Sequence, residues 1–261
     1  MARINYLVPI AGLSLALVAS PTFAQTVVVT PSNPHGWSDS TYYGPTASHT
    51  GTGAFAGITT TYPRSGAGSS EIRLNDAANS EADALMEFSS GGKSLSSITA
   101  LQYDWYRSST STTDGPIMPA FALHMSDNSY LVYERAYNAT GNAPVDTWTT
   151  ENILNGTFWS SGNGTGVCAN YGAFQSLSYF NTNCYAGAGS VTGLDIYMGY
   201  TQAGTFYGAM DNPTVGFNNA TPTTWNFEPD AVTATPEPSS IALLGTGLIG
   251  LVPMVRRRRK V

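Results

Sequence analysis

The chain has 261 residues, 42% of them hydrophobic and only 11% charged, with 17 acidic against 11 basic side chains. Six of the basic residues lie at the two ends (Arg3, Arg256 to Arg259 and Lys260), so the stretch between them sets five cations against seventeen carboxylates, a net −12. A surface of that sign repels phosphate backbones and excludes nucleic acid as a partner, while it favours solubility.

At the N-terminus, Arg3 precedes an apolar run from Tyr6 to Val18, and Thr22-Phe23-Ala24 places small residues at the −3 and −1 positions. This is the layout of a secretory signal peptide over residues 1–24, cut between Ala24 and Gln25. An uncleaved anchor fits less well, because the run is shorter than the ~20 residues a spanning helix needs.

From Gln25 the pattern becomes one of strands. TVVVT opens it, and SEIRLN (70–75), ADALMEF (82–88), ITALQYDWYR (98–107), IMPAFALHM (117–125) and SYLVYERAY (129–137) follow, parted by Gly, Ser, Asn and Asp. VTGLDIYMGY (191–200), GTFYGAMDNPTVGF (204–217) and TTWNF (223–227) continue it, while FQSLSYF (174–180) suits a short helix or a strand equally. Ala82, Ala84, Met86 and Phe88 alternate with Glu81, Asp83 and Glu87, which predicts an apolar inner and a polar outer face. Leu101, Tyr103 and Trp105 share a face in the same way. Many short strands and no long amphipathic helix predict an all-β antiparallel sandwich over residues 25–228, with 229–235 as a linker.

Cys168 and Cys184 are the two cysteines, and in an exported domain they read as one disulfide. Glu81, Asp83 and Glu87 form an ExDxxxE string. In a regular strand its outer glutamates stand ~20 Å apart, too far to share one glycosidic bond. No GxSxG elbow occurs, and Gly92-Lys93-Ser94 lacks the first glycine of a phosphate-binding loop. His35, His49 and His124 have no zinc-ligand spacing and no calcium loop motif is present, so no cofactor is expected, with calcium in an irregular loop as the alternative. Large aromatics are first of all core fillers, and Trp105 is expected in the core. Trp37 and Trp159 lie near loops and are the candidate platforms for a sugar ring.

The C-terminus has three parts in order. Pro236-Glu237-Pro238 comes first, then an uncharged run from Ser239 to Val255, then Arg256, Arg257, Arg258, Arg259 and Lys260. As a helix over 239–255 the run reaches ~25 Å, close to the ~30 Å hydrocarbon core, and the cations hold its end in the cytoplasm. This arrangement over residues 236–261 resembles the PEP-CTERM sorting signal. The resemblance implies transient anchoring in the inner membrane, recognition by an exosortase-type protease, and release to the cell surface or beyond. It also implies an association with exopolysaccharide and biofilm.

Tyr103 to Arg107, the Tyr133-Glu134 pair and an Asp211-Asn212 turn resemble features of jelly-roll, lectin-like domains that precede such tails. The expectation is therefore a non-enzymatic, exported sandwich that serves as a structural or polysaccharide-associated matrix component. A secreted carbohydrate-active enzyme and a surface adhesin are the alternatives.

Overall fold

The computed structural model describes residues 24–43, 53–88, 91–162, 174–199, 203–218 and 220–231. Its strands are β1 (Gln25–Val29), β2 (Trp37–Tyr43), β3 (Ala54–Thr59), β4 (Ser69–Leu74), β5 (Ser80–Glu87), β6 (Lys93–Ser94) and β7 (Ile98–Arg107). They continue with β8 (Ala120–Met125), β9 (Ser129–Tyr133), β10 (Thr149–Asn152), β11 (Trp159–Gly162), β12 (Ser190–Gly199), β13 (Phe206–Phe217) and β14 (Thr223–Phe227). Two short helices, α1 (Arg135–Asn138) and α2 (Leu177–Tyr179), lie between strands.

Among the described residues these strands form two seven-stranded sheets, as the alternation predicts. In the first, β13 pairs with β7, which pairs with β10; the other edge of β13 is shared by β4–β3 and, further along, by β14–β1. The second runs β11-β9-β8-β12-β5-β2, with β6 continuing beside β12. Pairing is antiparallel except between β1 and β14, which lie parallel and bring Gln25 beside Thr223 and Val29 beside Phe227.

The core lies between the sheets. Ile72, Leu101, Tyr103, Trp105 and Met210 from the first sheet meet Ala82, Ala84, Phe121, Leu123 and Ile196 from the second, all buried. Ala82 and Ala84 occupy the inner parity of β5 as expected, and their small side chains leave room for the large rings opposite.

Three expectations require correction, and one open alternative is settled. Trp37 is not a loop platform: it begins edge strand β2, points inward, and is 5% exposed. Its ring meets Trp225 and Phe227 edge-on at 5.8 and 5.1 Å, so neither face is open to a ligand. SYLVYERAY is a strand only to Tyr133, after which Arg135–Asn138 turns into α1. Asp211-Asn212 is no terminal turn but a bulge within β13, where Asn212 takes the left-handed conformation at φ 51°. FQSLSYF resolves as helix at α2, capped by the Ser176 hydroxyl accepting from Tyr179 N–H.

The signal peptide (1–23 of it), Cys168, the sorting motif, its helix and its basic tail lie outside the described residues. Among the described residues no cysteine is free, and no helix is long and apolar enough to cross a membrane.

Candidate functional site

The outer face of the second sheet carries a groove of about 800 Å³. Its floor can be read from the register. One row across the sheet is Leu85, Asp195, Ala122, Val132 and Trp159, on β5, β12, β8, β9 and β11 in turn. The adjacent row is Asp83, Tyr197 and Ala120, and on the other side His124 pairs with Tyr130. All of these residues share the parity opposite to the core, since side chains alternate along each strand.

Ala120, Ala122 and Val132 therefore make a low apolar centre on which Trp159 and Tyr197 pack. Carboxylates flank it. Glu81, Asp83 and Asp195 stand on the β5–β12 side, and Glu134 rises beside Trp159. Gly199 lies opposite Glu81, where a Cβ would come within 2.5 Å of the Glu81 Cα, so glycine permits this close approach at the end of the groove.

The ends of β7 and β9 build the wall that carries α1. Glu151 on β10 accepts from the Tyr133 hydroxyl at 2.8 Å and from the Trp105 indole N–H at 3.2 Å. Arg135 approaches the same carboxylate at 4.0 Å with its guanidinium 5.9 Å from the Trp105 ring centre. Arg107 donates to the Thr113 carbonyl at 2.6 Å and to the Ile117 carbonyl at 2.9 Å, and Tyr103 donates to the Pro119 carbonyl at 2.6 Å. These bonds hold the 108–119 loop, whose Ile117 and Met118 close one side of the groove.

The platform itself is fixed. Trp159 donates its indole N–H to Glu134 Oε1 at 2.9 Å, so the ring enters the groove in one orientation. Tyr130 lies edge-on to His124 at 4.6 Å and is 37% exposed, while Tyr137 is 58% exposed beside Phe174.

Crowding of carboxylates in a half-dry site raises their proton affinity. Burial, with the charge of Asp195 second, pushes Glu81 from the ordinary 4.5 up to about 7. Burial also raises Asp195, against the opposing pull of His124, whose Nε2 lies 3.7 Å from Asp195 Oδ2. Glu134 is raised by burial and drawn back by its bond from Trp159. Among the described residues no group of three or more His, Cys, Asp or Glu is arranged to hold a metal ion.

Of the sequence candidates, Trp159 is in the groove, Trp37 is in the core, and Cys184 lies elsewhere, partly buried against the core. Glu81 and Asp83 belong to the groove rather than to a plain solvated face, and Asp83 is only 4% exposed. Glu87 lies six residues along the unbroken register of β5 from Glu81, as the string's spacing requires. Sequence reasoning named His124 and Glu134 without assigning them to a site, and missed Asp195, Tyr197 and Tyr130. The available signal was the outer parity of β8, which reads Ala120, Ala122, His124, too apolar for a face open to water.

Residues 234–260 match the PEP-CTERM protein-sorting motif. The chain carries that sorting signal. It marks an exported protein, held transiently at a membrane and recognised by an exosortase. No curated protein matches the chain in sequence. Among solved structures it is similar to the family 11 carbohydrate-binding module of cellulosomal cellulase Lic26A-Cel5E of Clostridium thermocellum, at 11% identity and TM-score 0.38, over 75% of this chain and 91% of that one. It is similar also to a beta-1,2-glucanase from Parabacteroides distasonis, at 9% identity and TM-score 0.40, over 69% of this chain but 23% of that one. Likeness at this level says nothing about what this chain binds.

Proposed function

We propose that the exported domain is a non-catalytic glycan-binding sandwich, displayed or released at the cell surface, whose ligand lies in the groove of the second sheet. The observation that carries this reading is the groove's construction. A fixed indole and exposed tyrosines stand beside a shallow Ala120–Ala122 floor, with hydrogen-bond acceptors along the opposite side. A sugar ring has an apolar face and a rim of hydroxyl donors, and this surface offers a partner to each. Association with exopolysaccharide as a matrix component follows as the role, with many displayed copies compensating for weak single contacts. A Cys168–Cys184 disulfide belongs to the same proposal.

The test is affinity electrophoresis of the natively exported protein through gels containing neutral exopolysaccharide. Retardation is expected without shortening of the polymer, and Trp159→Ala should abolish most of it. Unretarded migration in every polysaccharide offered would reject the reading.

One observation favours a second reading, a glycosidase. Glu81 is held up to about 7 and so gains and loses its proton near neutrality, and Asp83 stands on the same strand face two residues on. Release of reducing ends that is abolished by Glu81→Gln would decide for the enzyme.

A further inference from the structure

Resting on the reading of the groove as a glycan site, the side chains around it specify which glycan. Carboxylates enter from three places: Glu81 and Asp83 on β5, Asp195 on β12, and Glu134 after β9. The arginine that lines the groove is held away from these carboxylates. Arg135, with a side chain 12% exposed, lies over Trp105, approaches Glu151 at 4.0 Å and reaches the Gly141 carbonyl at 3.4 Å. His124 stands 3.7 Å from Asp195 and edge-on to Tyr130, with its Nε2 buried and without a hydrogen-bond partner. Four carboxylates against one arginine leave the groove acidic.

Asp195 sharpens the point. Its Oδ1 is buried with no hydrogen-bond partner, and it stands in the register row between Leu85 and Ala122, on the floor itself. An unsatisfied buried acceptor costs free energy that a ligand donor recovers. A uronate or a sulfated sugar brings further negative charge to this place and meets like-charge repulsion. A hydroxyl satisfies the acceptor but leaves the crowding of Glu81 against Asp195 in place. An ammonium group satisfies the acceptor and relieves the crowding together.

We propose that the groove selects glycans bearing free amines, hexosamine units with an unsubstituted nitrogen, over their N-acetylated counterparts and against uronates. The ammonium sits beside Asp195, over the Asp83–Tyr197 row that parts it from Glu81, with the sugar face toward Trp159.

The experiment is calorimetric titration of the natively exported protein at neutral pH with three probes: a glucosamine hexamer, an N-acetylglucosamine hexamer and a galacturonate hexamer. The free-amine hexamer should bind roughly tenfold more tightly than the N-acetylated one, as one half-buried ion pair would give, and the uronate should not bind. The gap should narrow when salt is raised to about 0.5 M, where exposed charge is screened. Asp195→Asn should bring the two hexamers to equal affinity. Glu81→Gln, at a less buried position, should narrow the gap and guards against an Asp195 variant that does not fold.

Asp230→Asn, on the exposed surface beyond β14 and outside the groove, should leave the gap intact. Equal binding of both hexamers by the unaltered protein overturns the amine proposal and leaves the glycan site standing. A gap that survives both groove substitutions, or that Asp230→Asn removes equally, assigns the preference to overall acidity and overturns it too. Failure of all three probes, together with failure of every neutral polysaccharide, overturns the glycan site and this inference with it.

Discussion

Two tryptophans with similar sequence surroundings have opposite fates, and the difference is measurable. Trp37 and Trp159 each follow a turn-rich stretch, yet one ring is wedged edge-on against Trp225 and Phe227 while the other is tethered to Glu134 in the groove. Trp37→Ala should cost about 3–5 kcal/mol of stability in urea unfolding, the usual range for emptying a buried large ring. It should leave glycan retention per folded molecule unchanged. Trp159→Ala should do the reverse, with little change in the unfolding midpoint and loss of most retention. Single carboxyls also set a pH dependence. Asp211 is fully buried and accepts from Phe227 N–H at 2.9 Å, and burial pushes it from 3.8 up to about 7. Glu81 shifts from 4.5 to about 7. Each binds its proton more tightly folded than unfolded, so between their ordinary values and about 7 the folded state holds more protons. Stability therefore falls as pH rises through that window, and the loss is complete above it. Urea midpoints taken below and above the window should show this decline, and Asp211→Asn should flatten it while keeping an acceptor for Phe227. A midpoint that rises with pH in the unaltered protein would contradict the assignment.

At the scale of elements, legibility tracked side-chain contrast. Strands whose two faces differ strongly were readable: β5 and β7 alternate cleanly, and their inner residues are the buried ones. β3, β10 and β11 are rich in Ser, Thr, Gly and Ala and carry little contrast, and β2, though seven residues long, has a polar Ser-Asp-Ser-Thr centre that reads as loop. The groove stayed hidden for a related reason. Its floor is assembled from five strands spread from β5 to β12, and each contributes one to three residues whose role appears only when the register sets them in rows. The bulge in β13 shows how a local rule can be overridden by tertiary contacts. Asp211-Asn212-Pro213 reads as a turn, yet Asn212 stays within the strand. Its amide donates to Asp104 Oδ2 at 2.9 Å and to the Ser65 hydroxyl, while its left-handed backbone absorbs the extra residue. Asn212→Gly should keep the conformation and lose the side-chain bonds, at about 1–2 kcal/mol, whereas Asn212→Val should lose both and cost about 2–4 kcal/mol. Chemical denaturation of the two variants checks the ranking. A valine variant as stable as the glycine one would show that the backbone is not held there.

For the whole molecule, the sorting signal and the sandwich impose consistent demands. The folded domain has its first strand, from Gln25, paired in parallel with its last, ending at Phe227, so both chain ends leave from one edge of the first sheet. Cutting after Ala24 and near Pro236-Glu237-Pro238 would trim segments that lie outside that pairing and leave the β1–β14 ladder whole. It would also remove six of the eleven basic residues with the two terminal segments, leaving a strongly acidic surface on the mature protein. Solubility benefits from that charge, and so does the groove's discrimination against anionic polymer, since the field of the whole molecule adds to that of the local carboxylates. Cys184 ends a π turn packed partly against the core, and closing the loop back to Cys168 would contribute about 3 kcal/mol in the chain-entropy view. Intact-mass measurement of the protein recovered from the native host tests processing and pairing together. The expected species begins at Gln25, ends in the PEP region, lacks Arg256 to Lys260, and takes up no thiol label until a reductant is added. A surface form that keeps the arginine cluster would reject processing, and two labelled cysteines in the unreduced protein would reject the disulfide, each without bearing on the other.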